Sequence, residues 1–387
     1  MQSLVKNLYN HQIPRVQLLV QYVVSDTDTR RFAISSGEDI ESIPPSDFCS
    51  VTDPDRDGGG ATVAEYLKYA ANKYRSDYFG LIFLAVDGIA PVGVDILIPP
   101  ALSVVDVVRK LLASVGKRES ICLDAVELKL KRRLADRTTR STFSSYNRTL
   151  RIDSLSRHLA LLSQEICIQP DLIVLDACSM AAVETVYELR KVTKWIIASP
   201  SDLQRQTGAI YRKWIENFSK LATLDPSTVA TSTLNSLFDD DAAGTSPRGR
   251  LLLASTVSID QLAKSTKTLG EAIVQDWNEA TKQMVMASRA TCRLYDLRMC
   301  HLRSFVTKLA ESDKVPKSIK AACEAVDRDF KLVVQESLDP RPCGNAGECQ
   351  LTVYFPRKGD TEQAGYDKLA FAKDHPEWMT FVSKFTS

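Results

Sequence analysis

Cys178 stands where a catalytic nucleophile is expected in a parallel α/β sheet. The apolar run Leu172–Leu175 predicts a buried strand that ends at Asp176, and a helical pattern begins at Ala181. Catalytic groups collect at the carboxyl ends of such strands, and a thiolate there can attack a carbonyl carbon. A helix N-terminus beside the thiol would lower its pKa. Free cysteines are also among the most buried residues, so packing is the alternative explanation for Cys178.

A cysteine nucleophile normally works with a histidine that accepts and returns a proton. The chain has four histidines, at positions 11, 158, 301 and 375. His158 lies on the helix that precedes the Cys178 strand, and helices pack on the faces of a sheet, away from its edge. The patterns place His301 on a long helical segment as a solvated residue and His375 in the C-terminal tail. The path of the segment with His11 is not predicted, and we expect all four to be surface or packing residues.

The elements around these residues alternate between strand and helix. Apolar runs predict strands at Val16–Val24 and Tyr78–Val86, with a helix at Thr62–Tyr74 between them. A helix at Leu155–Cys167 precedes the Cys178 strand, and Trp195–Ala198 is the strand after it. This order predicts an α/β fold with a mostly parallel sheet and helices on both faces.

The rest of the chain divides into a linker and a helical region. Asp, Pro and Gly residues at 223–250 predict a linker between an α/β core at 1–222 and a C-terminal region at 251–387. That region holds three helical segments and a final strand that completes the same fold. The predicted bounds are 257–287, 289–311 and 317–336 for the helices and 350–355 for the strand.

The block Pro170–Arg190 closely resembles the nucleophile segment of the clostripain family of caspase-like cysteine peptidases. It has an apolar strand, then Asp-Ala-Cys, a methionine two residues later and the helix pattern Glu-x-x-Tyr-Glu-Leu. The segment Gln350–Pro356 and the aromatic residues after it are similar to the C-terminal part of that family. The resemblance implies a caspase-like fold and a Cys/His dyad that cleaves after Arg or Lys. It makes Cys178 the nucleophile and Asp176 the acid of the specificity pocket, and helix capping is the alternative role of Asp176.

Asp87 marks the place where the sequence departs from that family. The family strand ends in Asp-His-Gly, whereas this one ends in Val86-Asp87-Gly88. Either Asp87 replaces the histidine, or the histidine is deleted and Asp87 is the acid before it. A carboxylate with a pKa near 3.9 is ionised at pH 7, so it would raise the thiol pKa and could not protonate a leaving amine. We therefore expect a clostripain-like pseudo-peptidase that binds or regulates a partner; the alternative is an active endopeptidase with an unidentified base.

The basic insertion at about 103–151 admits two interpretations. Lys and Arg residues are frequent from 129 to 151, with Ser and Thr between them. A solvated helix face and loop is the usual structure of such a segment. The functional interpretation is a docking or cleavage segment for a processing protease that acts within 129–151.

Composition excludes several classes of function. The net charge is +1, which gives no reason to expect nucleic acid or a membrane surface as a partner. We expect a protein or peptide partner and neither a cofactor nor a metal. The nine cysteines are scattered, and the segment Met1–Pro14 lacks the apolar core of a secretory signal. These two observations predict reduced thiols and a cytoplasmic location.

Overall fold

A computed structural model gives the fold of the chain. It describes residues 18–25, 28–34, 41–42, 60–74, 76, 78–84, 95–97, 149–176, 179–200, 214, 217, 221, 225–238, 250–290, 298–338, 350–356 and 366–387.

The described elements are twelve strands, ten α-helices and one 3-10 turn. The strands are β1 (Leu18–Ser25), β2 (Asp28–Ile34), β3 (Glu41–Ser42), β4 (Gly80–Leu84), β5 (Asp95–Leu97), β6 (Thr149–Arg151), β7 (Leu172–Asp176), β8 (Trp195–Ala198), β9 (Leu251–Ser255), β10 (Met299–His301), β11 (Val334–Leu338) and β12 (Thr352–Tyr354). The helices are α1 (Gly60–Lys73), α2 (Ile152–Ile166), α3 (Val183–Leu189), α4 (Pro226–Phe238), α5 (Ile259–Gln275), α6 (Glu279–Ala290), α7 (Leu302–Ala310), α8 (Lys317–Val333), α9 (Ala370–Asp374) and α10 (Pro376–Thr386). The 3-10 turn is Tyr366–Lys368.

Five of these strands form the central sheet, in the order β11-β9-β8-β7-β4. Strands β4, β7 and β8 are parallel, β9 is antiparallel to β8, and β11 is antiparallel to β9. Four strands therefore run in one direction and only β9 runs in the other. The prediction of a mostly parallel sheet is confirmed.

Both faces of the sheet are covered. Ile173 and Leu175 pack into the larger core with the helices of one face, whereas Leu172 and Val174 pack against α4 on the other. A strand that is buried on both faces has no polar alternation, which is why β7 appears in the sequence as a continuous apolar run. The prediction of helices on both faces is confirmed.

The first strand is placed differently from the prediction. We expected Val16–Val24 to belong to the parallel sheet, but β1 pairs antiparallel with β2, which in turn pairs with β3. Ser25 is opposite Asp28 in this pairing. A hairpin closed over so few residues loses little loop entropy, so local pairing replaces the distant one.

The C-terminal region contains a strand within a segment that was predicted to be helical. The predicted helix 289–311 is replaced by the end of α6, by β10 and by α7. The predicted final strand forms as β12, but it pairs with β10 instead of joining the central sheet. β10 has only three residues, which is too short for a periodic signal of its own.

The segment 223–250 includes the helix α4, which the sequence analysis did not predict. Its use as a boundary between the regions 1–222 and 251–387 stays a prediction. Of the basic insertion, only Thr149–Arg151 is described; it forms β6 and pairs with β5. Within the described part of the chain, no helix combines the length and the apolar character needed to span a bilayer.

Candidate functional site

The carboxyl ends of β4, β7 and β8 lie side by side. Leu84 is paired with Asp176, and Leu175 is paired with Ala198. The chain therefore leaves β4 and β7 at the same edge of the sheet, where parallel α/β folds bind their ligands. Cys178 and Asp87, the two residues predicted to act there, lie outside the described residues.

Asp176 is the last residue of the central parallel strand and is only 6% exposed. Its predicted alternative role as a helix cap is wrong. The next helix, α3, begins at Val183, its N-cap residue is Ala182, and no side chain caps it. Asp176 thus places an acidic group at the carboxyl edge of the sheet, between β4 and β8.

The turn after β7 is longer than the sequence analysis predicted. The helix was expected from Ala181 but begins at Val183 and has seven residues. The influence of a helix terminus declines within one turn. Cys178 lies outside the described residues, so the expected lowering of its pKa by α3 stays a prediction. Ser179, directly after Cys178, has φ of 57°, a left-handed conformation that is uncommon for a residue other than glycine. Such backbone strain is found more often at functional turns than elsewhere.

Hydrogen bonds hold the chain just beyond this turn. The Ala181 amide donates to the Ser199 carbonyl oxygen over 2.8 Å, which ties the turn to the end of β8. The Ala181 carbonyl oxygen accepts from the Thr352 amide at 2.8 Å and from the Thr352 hydroxyl at 3.1 Å. The first residues after Cys178 are thus connected to the central sheet and to β12.

Glu184 is a buried acid that the sequence analysis missed. Its Oε1 accepts hydrogen bonds from the Tyr354 amide at 2.9 Å and the Tyr366 hydroxyl at 3.0 Å. Burial raises its pKa to about 7, against the lowering effect of these hydrogen bonds. Its Oε2 is buried and has no hydrogen-bond partner. The signal in the sequence is a glutamate directly after the apolar run 180–183, at a position that also belongs to the family pattern.

A second set of contacts joins α3 to the C-terminal helices. The Arg190 guanidinium lies 3.5 Å from the ring centroid of Tyr187 and bonds to Asp260 at 3.0 Å and Asp374 at 3.2 Å. The Tyr187 hydroxyl also donates to Asp374, over 3.0 Å. These bonds connect α3 with α5 and α9.

The three described histidines lie on other elements. His158 is on α2, as predicted, with Nδ1 2.8 Å from the Ser154 carbonyl oxygen of the same helix. His375 follows α9 and packs its ring against Tyr187, with centroids 5.3 Å apart. The prediction of a solvated His301 on a long helix is wrong, because it ends β10 and is 2% exposed. His11 lies outside the described residues.

Possible metal-ligating side chains are dispersed in the described part of the chain. No group of three His, Cys, Asp or Glu side chains there lies close enough together to hold an ion. The arrangement around β7 offers an acidic group, a strained turn and a buried network behind it.

The chain resembles solved structures of C11 proteases. An inactive zymogen C11 protease from Parabacteroides distasonis covers 97% of this chain, and 92% of that protein is covered in turn, at 13% identity and a TM-score of 0.56. A secreted C11 cysteine protease from Bacteroides thetaiotaomicron, in complex with an irreversible peptide inhibitor, covers 99% of this chain and is covered over 94%, at 14% identity and a TM-score of 0.54. No curated protein matches the sequence. The structural matches establish the caspase-like α/β fold.

The predicted cytoplasmic location is wrong in the light of these matches. Two of the matching structures, including the protein called iotapain, are secreted C11 proteases from Bacteroides thetaiotaomicron. The prediction depended on scattered cysteines and on the composition of the first 14 residues. Neither property is a direct measure of the compartment, since free buried cysteines also occur in exported proteins.

The sequence itself matches the Clostripain family over residues 141–369, which is more than half of the chain. The matched range includes the strand, turn and helix around Cys178 as well as β12 and the 3-10 turn that bind α3. The chain belongs to the clostripain family of cysteine peptidases.

Proposed function

We propose that this member of the clostripain family is a pseudo-peptidase that binds a protein or peptide partner at the carboxyl edge of its central sheet. The observation that carries the proposal is the position of the imidazoles. Among the described residues, no histidine stands at the end of β4, β7 or β8. The sequence at the end of the β4 strand, Val86-Asp87-Gly88, also lacks one.

The chemistry of a cysteine peptidase depends on that imidazole. A thiol with a pKa near 8.5 is only about 3% ionised at pH 7 without help, and a nearby carboxylate lowers that fraction further. Loss of general acid–base assistance reduces the rate by roughly 10²–10⁴-fold. A site with Asp87 in place of the histidine therefore retains a binding surface but little peptidase activity.

Asp176 gives the proposed binding surface a preference for cationic side chains. A buried carboxylate at the sheet edge favours a cationic side chain, so the proposed partner presents Arg or Lys at an exposed loop or peptide. A processing protease that cleaves within 129–151 remains part of the proposal as a second partner. Its recognition sequence would be the Lys- and Arg-rich segment itself.

An arginyl electrophile that captures active thiolates tests the absence of catalysis. We expect no covalent adduct on the full chain, in parallel with Cys178→Ala as the matched control. Labelling that disappears in Cys178→Ala would overturn the pseudo-peptidase proposal.

Binding is measured separately with a fluorescent arginine-containing peptide, and Asp176→Asn is expected to weaken the affinity for this peptide at least tenfold. If wild type and Asp176→Asn bind the peptide with equal affinity, Asp176 does not take part in recognition.

The second candidate function is an active endopeptidase that cleaves after Arg or Lys. The left-handed Ser179 favours it, because backbone strain persists where the surrounding structure maintains it, and such strain clusters at active sites. In that case His301 is the first imidazole to test. It is paired with Thr352, which bonds to Ala181 three residues after Cys178. Adduct formation that is lost in both Cys178→Ala and His301→Gln would support this second function.

A further inference from the structure

Helix α3 carries two buried glutamates, and both bind the C-terminal part of the chain. All seven residues of α3 are buried. Glu184 accepts hydrogen bonds from Tyr354 and Tyr366, and Glu188 accepts one from the Ala370 amide. The helix that follows the Cys178 turn is therefore attached through its acidic side chains to β12, the 3-10 turn and α9.

Strand β12 is bonded to both ends of the short segment 181–184, which runs into the first turn of α3. At one end Thr352 binds the Ala181 carbonyl oxygen, and at the other the Tyr354 amide binds Glu184. Tyr354 is further fixed by its stacking on Tyr366, with ring centroids 4.6 Å apart. A displacement of β12 at Glu184 is thus transmitted over two residues to the bond at Ala181.

We infer that Glu184 is a positioning residue for the turn that carries Cys178, and that it acts through β12 and Tyr366. The inference depends on the proposed role of Cys178 as the centre of the site. It does not require catalysis, because a binding site also needs a fixed turn.

The ionisation of Glu184 provides a way to observe this coupling. One titratable group faces it, the Tyr366 hydroxyl from the 3-10 turn, beside the backbone amide of Tyr354 from β12; burial raises the pKa of Tyr366 well above its usual value. When Glu184 is protonated, only the O–H at Oε2 lacks a hydrogen-bond partner. When Glu184 is ionised, Oε2 carries negative charge and needs hydrogen-bond donors that the folded structure does not supply. Local opening that admits water satisfies the anion, so the turn is held less firmly above pH 7 than below it.

The test is the rate at which iodoacetamide alkylates Cys178 in the full chain between pH 5.5 and 8.5. The chain has nine cysteines, so the Cys178 peptide is followed by mass spectrometry. Thiolate chemistry alone gives a log rate that rises with a slope of 1 below the thiol pKa. We expect the wild-type protein to show an additional rise of roughly threefold or more, centred near pH 7, and Glu184→Gln to lack it. Glu188→Gln, on the same helix, is expected to keep it.

Parallel profiles for wild type and Glu184→Gln would overturn the inference, because a purely structural role changes the rate equally at all pH values. If Glu184→Gln does not fold, Tyr366→Phe replaces it. This variant removes a hydrogen bond that lowers the Glu184 pKa, so the additional rise moves to higher pH. An unchanged profile in Tyr366→Phe would equally contradict the inference. Iodoacetamide needs only an accessible thiolate, so a negative result with the arginyl electrophile leaves this test intact.

Discussion

The substitution Glu184→Gln is expected to change the pH dependence of folding stability. The folded chain has Glu184 at a pKa of about 7, against an ordinary value of 4.5. The folded state therefore binds this proton more tightly than the unfolded state. The contribution of Glu184 to stability is complete below pH 4.5 and is lost as the pH rises to 7. The difference between the two pKa values corresponds to about 3 kcal/mol in the free energy of unfolding.

Glutamine keeps the acceptor at Oε1 but places an amide nitrogen at the Oε2 position. In the variant, two buried N–H groups would lack hydrogen-bond partners, whereas in neutral Glu184 only one O–H lacks a partner. The additional unsatisfied donor lowers the free energy of unfolding of the variant by about 1 kcal/mol. Well below pH 4.5 the variant is therefore less stable than wild type by about 1 kcal/mol, but at pH 5 wild type has already lost most of this advantage and the difference is about 0.2 kcal/mol. At pH 8 it is more stable by about 2 kcal/mol, because wild type then carries a buried charge. The two stability curves cross between these values.

Urea denaturation followed by tryptophan fluorescence measures the effect across pH 5–8, and the chain has four tryptophans. All other groups titrate in both proteins, so the difference curve isolates Glu184. The control is Glu311→Gln, which removes an exposed ion pair with Lys308 worth less than about 1 kcal/mol. A difference between wild type and Glu184→Gln that stays constant with pH would refute the reasoning.

Three other substitutions test the contacts between α5, α3 and the C-terminal helices by urea denaturation. Gly270→Ala is expected to destabilise by about 1–3 kcal/mol, because its Cβ would lie 3.2 Å from the Cα of Trp378; a gain in stability would contradict this packing. Arg190→Met is expected to cost up to about 1 kcal/mol, because Asp374 is half exposed and water can replace the guanidinium, and a loss of several kcal/mol would contradict this reasoning. Trp378→Phe removes the indole N–H that bonds to the Tyr354 carbonyl oxygen at 2.8 Å, so a loss of about 1–3 kcal/mol is expected and an unchanged midpoint would count against it.

The parallel strands of the central sheet were predictable because they are apolar along almost their whole length, and the middle strand β7 is fully buried. The strands β4, β7 and β8 are continuous apolar runs bounded by polar or turn residues, and these features depend only on the local sequence. β9, with the sequence Leu-Leu-Leu-Ala-Ser, has a similar composition. It was missed because it lies between a segment interpreted as a linker and a long helical pattern. An antiparallel strand within a mostly parallel sheet is decided by tertiary pairing, which the local pattern does not report.

The position of the candidate site was predictable from the sequence, but the hydrogen bonds that hold it in place were not. The end of β7 and the acid Asp176 followed from one strand and from a family pattern. The bonds of Ala181 and Glu184 to β12 could not be predicted, since they join residues about 170 positions apart. The same limit explains His301: its buried position comes from the pairing of β10 with β12, and β10 has only three residues.

The packing around the turn weakens the inference from the presence of Cys178 to catalytic activity. Met180, Ala181 and Ala182 are fully buried, and Ala181 bonds to both β8 and β12. Larger side chains at these positions would overpack the core, so selection for folding alone maintains most of the sequence block that identifies the family. Folding therefore explains Met-Ala-Ala after the cysteine without any reference to peptide hydrolysis. The evidence for activity has to come from the thiol itself, which is why the decisive experiments are those that measure its reactivity.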